Sequence, residues 1–158
     1  MPLSDPASPS LCLLLVEDEQ ADAELFQELL GEVAAHAKVV HMRNGREALD
    51  YLNSLDDPEA FHDSQALRPN LIVLDLNMPV MNGHAFLEQA KQDERLRDIP
   101  VLVLSTSDHA DDVQRAYQAH ASGYLVKPNS FQEYTDMLRL MTSYWGQVMR
   151  LPRSASPL

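Results

Sequence analysis

Five short apolar runs punctuate the chain: Leu11–Val16, Lys38–Met42, Asn70–Asp75, Ile99–Leu104 and Gly123–Lys127. The strongest of them are continuous and bounded by turn-forming or polar residues, the pattern of strands buried on both faces. Between the runs, apolar residues recur at helical spacing. Ala21, Leu25, Leu29 and Val33, flanked by Phe26 and Leu30, predict a helix over Gln20–Val33. Ala48, Leu49, Leu52 and Leu55 give a second helix its buried face, and Asn44 with Glu47 forms a capping-box-like start for it. Gly83–Glu94 turns Phe86, Leu87 and Ala90 inward, and Asp111–Ala121 is a shorter, more polar helix with Val113, Ala116 and Tyr117 on one side. Ser130 and Glu133 open a long last helix that carries Phe131, Tyr134, Leu138, Met141 and Trp145. Strict alternation of strand and helix, with no hairpin signal, predicts an α/β fold. Its core is a doubly wound, five-stranded parallel sheet, with right-handed crossovers placing helices on both faces. One domain over residues 11–149 accounts for all of this. The Pro- and Ser-rich ends, 1–10 and 150–158, read as tails, and no second domain fits. Asp56–Pro69 is a polar connection longer than most.

Composition narrows the function classes. The net charge of -12 argues against a nucleic-acid backbone or an anionic membrane surface as partner, and it suits a divalent-cation site or simple solubility. The single cysteine, Cys12, lies in an apolar run and reads as a small core residue of a protein in the reducing cytoplasm. Leu11–Val16 is too short to span a bilayer, and no basic residue precedes it as in a signal peptide.

In an open parallel sheet, chemistry gathers at the carboxyl ends of the strands. Here the first strand ends in Glu17 and Asp18, the third in Asp75, the fourth in Ser105 and Thr106, and the fifth in Lys127. Taken singly these have plain structural readings. Asp75 suits a carboxylate that caps its strand end, Glu17–Asp18 a helix N-terminal charge pair, and Ser105 a turn cap. Together they are more specific. Three carboxylates on neighbouring strands, ~4.8 Å apart, do not all stay ionised without a compensating cation. A hard divalent ion with oxygen ligands, Mg²⁺, is the natural solution. Lys127 adds a point charge and Ser105 a hydroxyl, the set needed to neutralise a phosphoryl group while a carboxylate oxygen attacks in line.

The segments LLLVEDE (Leu13–Glu19), LIVLDLNMPVMNG (Leu71–Gly83), VLVLSTS (Val101–Ser107) and GYLVKP (Gly123–Pro128) resemble the motifs of response-regulator receiver domains, in order and at family spacing. The resemblance implies the flavodoxin-like receiver fold with strand order 2-1-3-4-5. It implies that Asp75 accepts a phosphoryl group from a sensor histidine kinase. Glu17, Asp18, Asp75 and the backbone carbonyl of Asn77 would bind Mg²⁺, and Lys127 and Ser105 would contact the phosphoryl oxygens from the opposite side. Ser105 and Tyr124 would form the switch, and the Lys127–Pro128 bond would be cis. Asn129 departs from the phenylalanine that many receivers have after this proline. The long Asp56–Pro69 loop, the Ser-Thr-Ser run and the lack of an output domain resemble single-domain regulators of phytochrome kinases, which implies a bacteriophytochrome as kinase partner.

Two other features bear on function. His36, His41, His62, His84, His109 and His120 show no metal-ligand spacing and read as surface or helix-end residues. The last helix has more apolar residues than one buried stripe requires. Tyr134, Met141, Tyr144 and Trp145 either cover the sheet or form a partner surface, a homodimer through helix 4, strand 5 and helix 5. The competing functions are an aspartyl-phosphate phosphatase or phosphotransferase acting on a small substrate, and an acidic binding module without chemistry. The enzyme would want a second acid two residues beyond Asp75, where this chain has Asn77.

Overall fold

A computed structural model describes residues 11–57, 59 and 68–152. The expected tail before Leu11, most of the Asp56–Pro69 connection with His62, and the chain end beyond residue 152 lie outside the described residues. Strands β1 (Cys12–Val16), β2 (Lys38–Met42), β3 (Leu71–Leu74), β4 (Val101–Ser105) and β5 (Gly123–Val126) form one sheet of order β2-β1-β3-β4-β5, every neighbouring pair parallel. β1 and β3 are buried throughout, so both can be apolar at every position. On the edge strand β2, Lys38 is exposed and His41 half-buried. Asn70 stands at the buried N-terminal edge of β3. Its amide donates to Cys12 O at 3.0 Å and its side-chain oxygen accepts from Cys12 N at 2.9 Å, which pins β3 to β1.

Helices α1 (Gln20–Val33) and α5 (Phe131–Ser143) pack on one face of the sheet. Phe26, Leu29 and Leu30 from α1, and Tyr134, Leu138 and Met141 from α5, fill the core there with Leu13, Leu15 and Val73. A π-helical segment, Tyr144–Val148, extends α5. Helices α2 (Gly45–Ser54), α3 (Gly83–Gln92) and α4 (Ala110–Gln118) cover the other face, where Leu52, Phe86, Leu87 and Ala90 pack on Ile72, Leu74 and Val103. The N-caps behave as their side chains predict. Asn44, Asn82 and Ser130 accept from the amides of Glu47, Ala85 and Glu133. α4 stops earlier than its pattern suggests. His120 takes a left-handed φ of 72°, and Ala121 N–H reaches back to Ala116 O at 3.0 Å, which closes the helix end.

Three expectations need correction. Among the described residues no peptide bond is cis, so Lys127–Pro128 is trans, the isomer that X-Pro bonds favour by about 0.5–1 kcal/mol. Tyr134 and Met141 are buried against the sheet and present no outer surface, because burial of the apolar stripe of α5 takes precedence. His84 is a helix-end residue as expected, but it is buried and not on the surface. It sits 7% exposed in the first turn of α3, where that helix faces α4.

Candidate functional site

The carboxyl ends of β1 and β3 deliver three acids to one place. Ligand oxygens of Glu17, Asp18 and Asp75 all lie within 4.8 Å of one another, with Glu17 and Asp75 buried and Asp18 exposed. The backbone holds them firmly: Asp75 N–H donates to Val16 O at 3.0 Å and Glu17 N–H to Met42 O at 3.0 Å. His41 Nε2 lies 2.7 Å from Glu17 O. A carbonyl only accepts, so His41 carries its proton on Nε2, and its role is to fix the strand end that bears the acids. Nothing in the sequence pattern marked this contact, because it depends on the β1–β2 register.

The turn after Asp75 is as constrained as the strand before it. The Asn77 amide, in an exposed residue, hydrogen-bonds the Asp75 carboxylate. Val80 has φ 67°, and Met81 N–H bonds Pro79 O at 2.7 Å around it, a γ-turn that is unusual for a β-branched residue. The chain then doubles back so closely that Gly83 N–H donates to Leu76 O at 2.9 Å, beside the Asp75 carbonyl.

Lys127 reaches the cluster from the end of β5. Its ammonium donates to Glu17 Oε2 at 2.8 Å and to Asp22 Oδ2 at 3.4 Å, and both Lys127 and Glu17 are nearly buried. The expected placement of Lys127 opposite the Glu17–Asp18 side is therefore corrected. The lysine crosses to Glu17 and to the first turn of α1, where the negative charge is densest. Burial works to lower the Lys127 pKa. The Glu17 hydrogen bond and the charges of Glu17, Asp75 and Asp22 outweigh it, and the net shift is upward. Burial, and then repulsion from Glu17, push Asp75 up from 3.8 to about 6, against the opposing pull of Lys127.

Three converging carboxylates, Glu17, Asp18 and Asp75, fit a hard divalent cation, and one of them resists ionisation where it stands. The raised Asp75 pKa also has a stability consequence. Between about pH 4 and 6 the folded chain binds more protons at this carboxyl than the unfolded one. The ionised form therefore destabilises the fold, fully above pH 6 and not at all below pH 4. Allowing for screening by solvent, Asp75→Asn should stabilise the metal-free protein by roughly 1 kcal/mol at pH 7.5, a gain that vanishes near pH 4. Urea denaturation across this range checks it; an equal gain at both pH values contradicts it.

Ser105 ends β4 fully buried, and its Oγ accepts from Ser107 N–H at 3.2 Å. Tyr124, half-buried on β5, donates its hydroxyl to Ser107 O at 2.8 Å. Of the residues expected on a partner surface, Tyr144 is exposed and Trp145 half-buried, in edge-to-face contact at 5.4 Å. Phe131, 71% exposed, and Leu140, 72% exposed, are further large apolar residues of α5 at the surface.

Residues 13–139 match the response regulator receiver domain family. The chain belongs to the response regulator receiver domains. Among related proteins, this receiver is 36% identical over 150 residues to response regulator Rcp1 of Synechocystis sp., covering 95% of this chain and 99% of that one. It is 37% identical to the probable methanogenesis regulatory protein FilR2 of Methanothrix harundinacea, covering 94% and 92%. The phosphorylated cyanobacterial phytochrome response regulator RcpA superposes with a TM-score of 0.80 at 34% identity, over 92% of this chain and all of that one. Rcp1 in its Mn²⁺-bound form gives 0.78 at 36%. The receiver is thus a member of two-component signalling, similar to phytochrome response regulators, with an acidic pocket of Glu17, Asp18 and Asp75.

Proposed function

We propose that the protein is a phosphoacceptor: Asp75 takes a phosphoryl group from a phosphohistidine of a sensor kinase. The observation that carries this reading is the convergence of Glu17, Asp18 and Asp75 within 4.8 Å, with the Lys127 ammonium 2.8 Å from Glu17. An Asp75 oxygen forms the new O–P bond as the P–N bond breaks, and the imidazole nitrogen leaves with the electron pair. Mg²⁺ held by Glu17, Asp18, Asp75 and the Asn77 carbonyl would neutralise charge on the transferred group. Lys127 exchanges part of its contact with Glu17 for the phosphoryl oxygens, and Ser105 donates its hydroxyl to them. Tyr124 follows the loop that Ser105 moves. The similarity to RcpA and Rcp1 supports a phytochrome-type histidine kinase as donor. A phosphatase reading lacks its second acid, since Asn77 holds that position.

The outer face of α4, β5 and α5, with Val126, Phe131, Leu140 and Tyr144 exposed, is the surface on which two copies would pair, in the cytoplasm and away from nucleic acid and membrane. Among the described residues no helix is long and apolar enough to cross a membrane. Incubation with acetyl phosphate and Mg²⁺ tests the reading. The wild-type chain should gain one phosphoryl group, and Asp75→Asn or removal of Mg²⁺ should abolish the gain. Normal labelling of Asp75→Asn overturns the assignment. Sedimentation of the same samples should show a dimer; a monomer at high micromolar concentration in both states contradicts the pairing.

A further inference from the structure

Lys127 makes two ion pairs among the described residues, and only one of them is with an acid of the converging cluster. Glu17 Oε2 accepts from the ammonium at 2.8 Å, and the other oxygen of the same carboxylate, Oε1, accepts from Glu19 N–H at 3.2 Å. Both oxygens of Glu17 are thus already engaged. Asp22, the second partner, stands 3.4 Å from the ammonium on the first turn of α1. It is not one of the three acids whose ligand oxygens converge, and its side chain is 48% exposed where that of Lys127 is 10% exposed. An acid in the first turn of a helix is stabilising by itself, through the helix dipole. That accounts for an acid at this position, and not for its contact with a nearly buried lysine 105 residues away.

We propose that Asp22 is a positioning residue: it is the counter-charge that keeps Lys127 in place when a divalent cation shares Glu17. This rests on the reading of Glu17, Asp18 and Asp75 as a cation site. A cation on Glu17 draws on the carboxylate that is the nearest partner of Lys127, and it repels the ammonium across that carboxylate. A nearly buried ammonium needs an anion of its own. Asp22 supplies one outside the cation's ligand set, so that cation and lysine are accommodated side by side. Without Asp22 the ammonium depends on Glu17 alone, and the two positive charges contend for one carboxylate. The contact between Asp22 and Lys127 is therefore worth more with the cation bound than without it, and by linkage it raises the affinity for the cation.

Calorimetric titration with Mg²⁺ alone reads this without any phosphoryl chemistry. Asp22→Asn should weaken Mg²⁺ affinity about fivefold, and Asp22→Glu, which returns the charge, should restore it to within about twofold. A charge that acts on the cation only through space gives the same loss whether or not the lysine is present. The Lys127→Met background separates the two: there Asp22→Asn should cost at most about twofold. The proton signal of the Lys127 ammonium gives a second readout, which serves if Lys127→Met does not fold. With Mg²⁺ bound, the signal should persist in the wild type and be lost to rapid exchange with water in Asp22→Asn. Without metal, Glu17 should preserve it in both. Equal losses of affinity in the two backgrounds, or an ammonium signal in Mg²⁺-loaded Asp22→Asn as strong as in the wild type, overturn the proposal. If the wild-type chain takes up no Mg²⁺ at millimolar concentration, the cation-site reading itself fails, and the proposal falls with it.

Discussion

Gly83→Ala should destabilise the protein by about 3 kcal/mol and weaken its affinity for divalent cations. A methyl group at this position would overlap the carbonyl oxygen of Asp75 and stand 2.7 Å from Leu76 Cα. Neither is the end of a flexible side chain. Both are backbone, and both belong to the segment that presents Asp75 to its neighbours. Relief requires the turn to open, which breaks the 2.9 Å bond from Gly83 N–H to Leu76 O and shifts the Asp75 carboxylate out of the cluster. The same substitution at Gly31, on the exposed side of α1, meets nothing within 4 Å and should stabilise by up to about 1 kcal/mol through helix propensity. Urea denaturation of the two variants, with a Mg²⁺ titration of each, separates the effects. Equal stability of Gly83→Ala and wild type would show that the Asp75 turn is far more pliant than its packing implies.

Lys127→Met should be nearly as damaging and for a different reason. The methylene stem is kept, so packing changes little, but Glu17 and Asp22 lose their cation in a site where Lys127 and Glu17 side chains are only 10% and 5% exposed. Removing one partner of such a pair leaves an uncompensated buried charge, a loss of roughly 2–3 kcal/mol. The pKa of Lys127 is raised by its acidic neighbours. Its stabilisation is therefore fully present below the ordinary lysine value of 10.5 and is lost only as pH rises through the folded value. The penalty should persist across the neutral range. On the proposed reading, transfer to Asp75 should slow by about 100-fold, because the ammonium would supply the protein's own positive charge to the phosphoryl oxygens. A variant within about 0.5 kcal/mol of wild type, labelled at the wild-type rate, would remove Lys127 from the account.

The fold was legible because every strand but β2 is an apolar run and every helix keeps a buried stripe. The run Asn70–Asp75 contains β3 with one residue to spare at each end, and the helical pattern over Gln20–Val33 matches α1 at both ends. The ends were less secure. α4 finishes at Gln118 because His120 adopts a left-handed conformation, a choice that propensity does not announce. The acids and the lysine of the site were legible as well, since parallel topology alone sends Glu17, Asp18, Asp75 and Lys127 to one edge of the sheet. What the pattern could not give was side-chain direction between elements. Lys127 turns to Glu17, Tyr134 and Met141 turn into the core, and His41 reaches the Glu17 carbonyl. Ser107, Asp112 and His84 lie on three different elements, and only their distances reveal that they meet.

On the proposed reading the carboxylate of Asp75, and no other group, carries the phosphoryl. An acyl phosphate is reduced by borohydride to the corresponding alcohol, so trapping the product formed with acetyl phosphate and Mg²⁺ marks the acceptor permanently. Peptide sequencing should then find homoserine at position 75 and unmodified Glu17 and Asp18. Reduction at either of those acids, or phosphate surviving on a serine such as Ser105 or Ser107, would contradict the account.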